Sequence, residues 1–577
     1  MPEHQDPEVL IEEDQRSISE AEEHVKEGAG KECAGDGEIE GEDSVESNDS
    51  IQQQVTAQLS LTDQRCMRGM PMYLILHKFG QIWGDNGGSA ATFRMSRPAK
   101  TLQGFVSHNW STPRLAKFRA LMLHFNLALA FATSVLAAAV GAMLTAHGAV
   151  PYMESGTRPH LPRSLASLIL GGLGFWLALL FGHDLGHFLG SVTGSGEPHV
   201  FLDKSCIHQT DEKLKRQGID SLGAFLVNSQ RMIILFSDTY FRKIWTVYEL
   251  ACFLCTKTVD KCVFLSVYHP PVIICGWWLI FGYFAVQPLW RMIPGVNPVM
   301  VTFLVGLLVA YIALLVAGRG WHDIAQLQAR LRHFSMEECH CHDERDRPIV
   351  YQSVAAFMKY RHVVRRCCTV KESLHAFEAQ VQTQMADIID SIVGRTMLRY
   401  RQALTIAWPQ LLAGVDTVGA KCARGDTVLA TVMAATYNTA EALLTWPAGI
   451  GLGLLLMRLP TQLGYQSARA RAAFAVPSAV LVFFMLFALD LADYHLSTAI
   501  AEAKTGDIWL PILAYVTFLG AEASVVWLEF GTLPVQCGRR GRRQSRSSIT
   551  FDRAHTSDLS EDDRKSDDSG ESNVLAI

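Results

Sequence analysis

The sequence lacks a basic, apolar start. Residues 1–50 hold 18 Asp or Glu and only 3 Lys or Arg. A cleavable secretory signal needs a positive opening followed by a short apolar stretch, so none is expected. The first long apolar run begins near Leu121 and is expected to act as the targeting signal. Regular cysteine spacing is also lacking. The 13 Cys are scattered, and those outside apolar runs fall in segments assigned to the cytosol, with Cys422 the exception. A disulfide framework is therefore not expected. No nucleic-acid partner is expected either.

What is present is apolar and arranged in long runs. Hydrophobic residues make up 49% of the chain and the mean hydropathy is +0.14. An ordinary soluble protein of this length is more polar. The net charge of -6 hides an asymmetry. The whole chain has 51 Lys or Arg and 57 Asp or Glu, so beyond residue 50 there remain 48 against 39. Seven runs have about the 17–25 residues that cross a bilayer: Phe125–Thr145, Leu165–Phe181, Val272–Trp290, Val296–Gly318, Ala435–Met457, Ala472–Leu489 and Ile508–Leu528. Gln402–Val418 is a weaker eighth. Eight spans put both termini on one side. Arg94, Arg97, Lys100, Arg114, Lys117 and Arg119 precede the first run. Arg458, Arg469 and Arg471 lie between the sixth and seventh spans, and Arg539, Arg540, Arg542, Arg543 and Arg546 follow the last. That bias makes these segments, and both termini, cytosolic.

Between two of the apolar hairpins the periodicity changes. The segment from Val200 to Leu254 reads as strand, loop, helix, strand, helix. A short apolar run ends at Asp203. A basic loop with Lys215, Arg216 and Gly218 leads into a helix, and a second run spans Met232 to Ser237. An aromatic turn and another helix follow. An earlier short strand, in TLQGFVSHNWS, ends at Ser107-His108. Asp203, Gly218-Ile219, Ser229, Trp245 and Glu249-Leu250 stand where the Toll/interleukin-1 receptor (TIR) domain family has its characteristic residues. The segment resembles that family, in the variant found in multi-pass membrane proteins of dinoflagellate algae. Cys262–Val267 is the only further strand-like stretch.

The resemblance implies a small doubly wound parallel sheet with Phe105 on the middle strand, beside Phe201 and Ile234. Its strands share one side of the membrane, so the intervening apolar runs form a hairpin with residues 146–164 outside. The resulting fold class is an α-helical polytopic membrane protein of about eight spans, carrying a cytosolic α/β TIR-like module split by a membrane hairpin. The division is an acidic disordered tail at 1–65, the first part of the module at 66–124 and a hairpin at 125–189. The second part of the module lies at 190–268 and a second hairpin at 269–318. A cytosolic helical region follows at 319–401, a second membrane block of about four spans at 402–530, and a basic then acidic disordered tail at 531–577.

Three functions are open. The first is membrane-anchored signalling or assembly, with the bilayer as one partner and other TIR-like modules or a second copy as another. The second is a transporter or channel with a regulatory cytosolic cap. The third is NAD cleavage, which the resemblance implies for some family members. Glu249 would then be the catalytic acid, stabilising positive charge on the ribose as nicotinamide leaves. Ser107, His108, Asp203, Lys204 and Trp245 would line the ligand site. No cofactor is required; NAD would be a substrate. An assembly role leaves Glu249 exposed on its helix, whereas a role in NAD handling places it in a cleft with Ser107, His108 and the loop at Asp203.

Other motifs carry weaker chemistry. His183 and His187 in GHDLGHFLG are i, i+4, a metal-ligand spacing, but the paired His-His box of a desaturase is missing. The interfacial end of a span explains them equally. Cys339-His340-Cys341-His342 and Cys367-Cys368 have zinc-ligand types at a spacing no standard zinc module uses, and no metal is assigned. Glu441 and Glu522 lie inside apolar runs, where a carboxylate is either functional or hydrogen-bonded to a neighbouring helix. The basic RRGRRQSRSS segment suits anionic headgroups as well as topology.

Overall fold

A computed structural model describes residues 48–531, apart from 62–66, 85–86, 155–160, 194–197, 292, 296, 366, 466 and 504–507. The expectations for 1–47 and 532–577 lie outside the described residues, but 48–59, expected within the disordered tail, form a helix that buries Ile51 and Val55 in the core. Six strands form one sheet: β1 (Arg68–Pro71), β2 (Arg97–Pro98), β3 (Gly104–His108), β4 (His199–Phe201), β5 (Met232–Phe236) and β6 (Cys262–Ser266). Their order is β2-β1-β4-β3-β5-β6. The run β4-β3-β5-β6 is parallel, with Phe105 opposite Phe201 on one side and Met232 on the other. Strand β1 is antiparallel to both its neighbours, so the sheet is mixed rather than wholly parallel. The two added strands are short and each contains a proline, which has no N–H for a ladder. They carry no period-2 signal.

The helices in chain order begin with α1 (Asn48–Leu59), α2 (Arg114–Ala146), α3 (Ala166–Thr193), α4 (Glu212–Asp220), α5 (Leu222–Val227) and α6 (Ile244–Thr256). Next come α7 (His269–Arg291), α8 (Pro298–Arg332), α9 (Asp346–Tyr360), α10 (Val370–Gln380), α11 (Ala386–Val393) and α12 (Tyr400–Arg424). The last three are α13 (Val428–Gln462), α14 (Ala468–Glu502) and α15 (Trp509–Phe530). Local chemistry sets several starts. The Asp211 carboxylate accepts from the N–H groups of Lys213 and Leu214 at the head of α4. Asn297 does the same for Val299 and Met300, with proline at the first position of α8. Both are N-cap arrangements that satisfy otherwise orphan donors.

Strands β3 and β5 are buried along their length, as inner parallel strands with both faces covered must be. On one face Phe105, Phe201, Ile234 and Phe236 pack with Phe225 of α5 and Val247 and Leu250 of α6. On the other, Val106, Ile233 and Leu235 pack with Ile75, Trp83, and Phe118 and Leu121 of α2. Helix α2 thus covers the sheet with its first turns and continues unbroken to Ala146, across the expected boundary at 124–125.

Among the described residues, α2, α3, α7, α8, α13, α14 and α15 are long and apolar enough to cross a membrane. Helix α12 is the expected weaker eighth span. It is 25 residues long and buries Gln410, Asp416, Thr417 and Lys421. It packs against α2, α3, α7 and α13, so its polar side chains meet protein rather than surroundings. The amphipathic stretch WHDIAQLQARLRHF is largely the continuation of α8 to Arg332. One apolar cluster joins Phe105 of the sheet to Ile273 of α7, Leu314 of α8, Ile406 of α12 and Leu454 of α13.

Candidate functional site

Ser107 and Glu249 meet. Ser107 is the last residue but one of the all-buried strand β3, beside Ile234 of β5. Glu249 projects from α6, whose apolar face packs on the same sheet. The Ser107 hydroxyl donates to Glu249 Oε2 at 2.5 Å and lies 2.7 Å from the Tyr240 hydroxyl. A serine has one O–H to give, so Tyr240 donates to Ser107 and Ser107 to Glu249. Ser107 is 1% exposed and Tyr240 0%. Burial pushes the Glu249 carboxyl up to about 8; the Ser107 hydrogen bond opposes this and the charge of Asp203 adds to it. Burial likewise holds the Tyr240 hydroxyl well above its ordinary value.

The other expected residues surround this chain without all joining it. Asp203 follows β4 and accepts from Trp110 Nε1 at 2.6 Å and from the Lys204 N–H at 2.6 Å. His108 packs edge-on against Trp83. Burial lowers its pKa to about 4, with Asp203 pulling the other way, so the imidazole is neutral at pH 7. Lys204 turns aside: its ammonium donates to the Ile82 carbonyl at 3.0 Å. Trp245 also faces elsewhere, its indole N–H donating to Asp346 of α9 at 3.1 Å. Tyr240 is the member that sequence reasoning missed. Its signal was the aromatic turn after β5, since a buried tyrosine needs a partner for its hydroxyl.

The geometry therefore meets one half of the cleft arrangement for Glu249, its approach to Ser107. The carboxyl is partly buried and bonded to Ser107, not exposed on its helix. Yet the Ser107 hydroxyl is sealed rather than presented to a ligand. The chain matches no protein-family model, no curated protein and no solved structure.

Among the described residues no group of three or more His, Cys, Asp or Glu is placed to hold a metal ion. His183 lies against Asn126 of α2, while His187 stacks on Tyr73 at 3.8 Å. The Cys339 thiol donates to the Phe241 carbonyl and the Cys341 thiol to the Asp343 carbonyl.

The helical block holds a second group of polar side chains. Glu441 begins a five-residue π-turn inside α13 and accepts from Gln410 of α12. Glu522 of α15 accepts from the Thr445 hydroxyl at 2.8 Å. Both are buried, and Asp490 and Asp493 of α14 join them nearby, Asp490 accepting from Tyr437. The two aspartates lie just past the expected run Ala472–Leu489, where α14 continues to Glu502. A cavity of about 490 Å³ opens between α7, α8, α13 and α14, lined by Glu441 and Asp490 but not by Glu522.

Proposed function

We propose that this chain is a membrane-anchored signalling or assembly protein acting through a cytosolic TIR-like module. The apolar helices, with α12 among them, span a bilayer, and the module lies on its cytosolic side. The observation that carries the reading is the apolar core that the sheet shares with helices of the block. A module fixed in this way feels any rearrangement of the helices, because packed interiors transmit strain. The sealed Tyr240–Ser107–Glu249 chain acts as an internal pin, which argues against NAD cleavage. Helix α4 offers an outward surface, with Leu214 exposed between charged Lys213 and Arg216.

Two differently tagged full-length copies, co-expressed and purified in detergent, test this. Co-purification that Leu214→Asp weakens is the expected result, with no nicotinamide released from NAD by either protein. Monomers together with nicotinamide release that Glu249→Ala abolishes would reverse the assignment. A transport reading is favoured by one observation, the acid-lined cavity in the helical block.

A further inference from the structure

We infer that the cavity in the helical block is a binding site for an amphipathic organic cation, a role independent of what the module does. Its volume, about 490 Å³, falls within the roughly 300–1,000 Å³ typical of small-molecule pockets. The wall is apolar and aromatic. Phe284 stands edge-on to Trp446 at 5.7 Å, and Phe303 edge-on to Phe483 at 4.8 Å. Into this wall are set two carboxylates, Glu441 and Asp490, and one guanidinium, Arg163. Arg163 is engaged at one end, donating to Gln287 at 3.1 Å and lying over the Phe284 ring.

The chemistry selects the ligand class. Two acids against one guanidinium make the polar part of the lining acidic, which suits a positively charged head on a ligand. Aromatic faces attract a cation electrostatically, most strongly when it is desolvated. The surrounding alkyl and phenyl groups call for an apolar body on the same molecule. An acyl chain has no use for buried acids, which are costly among apolar helices, and a phosphate headgroup is repelled by them. A small hard metal ion prefers a shell of oxygen ligands, not rings. The π-turn places Glu441 at this cavity; such turns inside helices often mark functional positions.

The test uses full-length protein in nanodiscs and radiolabelled tetraphenylphosphonium, whose charge does not vary with pH. Saturable binding at one site per chain is expected. Glu441→Gln and Asp490→Asn should each weaken it by about tenfold or more, equivalent to about 1.4 kcal/mol. Glu522→Gln, outside the cavity, should leave it unchanged. Ala313→Phe, which fills the cavity and spares both acids, should abolish it. Neutral triphenylphosphine oxide should compete poorly. If Glu441→Gln does not fold, Asp490→Asn and Ala313→Phe decide. Affinity indifferent to both acid substitutions, equal competition by the neutral compound, or a co-purifying phospholipid that blocks the probe in every variant overturns the proposal.

Discussion

Glu249 keeps its proton at neutral pH because its carboxyl is desolvated between the sheet and α6. In the unfolded chain it titrates near 4.5, and in the fold near 8. Between those values the folded protein holds a proton that the unfolded chain has released. Stability rises with pH only where the unfolded state binds more protons, so here the sign is negative. This group's contribution is greatest below pH 4.5, declines as pH rises to about 8, and then levels off. Melting temperatures in detergent between about pH 5 and about pH 9 should show the decline in the native protein and lose it in Glu249→Gln. An equal slope in both proteins would show that the carboxyl is solvated. Glu249→Ala should cost about 1–3 kcal/mol, the usual penalty for a buried hydroxyl left without an acceptor. At this scale the sequence made Ser107 and Glu249 visible, because a strand end and a following helix place both over the sheet. Lys204 and Trp245 went astray because spacing does not set where a long side chain finds its partner. Ile82 and Asp346, which capture them, are far away in the chain.

Between elements, burial decided what could be read. Strands β3 and β5 were legible since parallel strands covered on both faces are continuous apolar runs. The added strands β1 and β2 were not, being too short to show a period. Helix α12 is the most instructive case. It reads as a doubtful span because it carries polar residues, yet those residues are what hold the block together. Asp416 accepts from the Ser164 hydroxyl at 2.7 Å and from the backbone N–H groups of Ser167 and Leu168 at 2.6 and 2.9 Å. It therefore caps the start of α3 from another helix, supplying the acceptor that a helix N-terminus requires. Asp416→Ala should strand those buried donors at about 1–3 kcal/mol each. Asp416→Asn, which retains one acceptor oxygen, should lose less. The midpoint of heat-induced aggregation in detergent measures both. Equal and small losses would mean that water reaches α3 and replaces the cap.

At the scale of the whole molecule, two native cysteines report the arrangement proposed for the bilayer. Cys422 is exposed near the end of α12, two residues before Arg424, which pairs with Glu154 of the α2–α3 loop at 2.9 Å. Cys367 is exposed between α9 and α10, and α9 packs against α6 of the module. The 25 residues of α12 span about 37 Å at 1.5 Å per residue, enough to carry the chain across the roughly 30 Å hydrocarbon core. The two thiols should then face opposite solutions. In sealed vesicles of known sidedness, a membrane-impermeant maleimide should label Cys422 from the outer face without detergent. Cys367 should react only after the vesicles are opened. Mass spectrometry of the labelled peptides separates these sites from the remaining cysteines, and Cys422→Ser removes the outer signal. The shared core makes the demand strict. The sheet cannot be moved to the other side without also moving α2, whose first turns pack on it. Labelling of both cysteines from one face would therefore refute the membrane placement of the module, and with it the proposal that a helical block in the bilayer drives assembly on the cytosolic side.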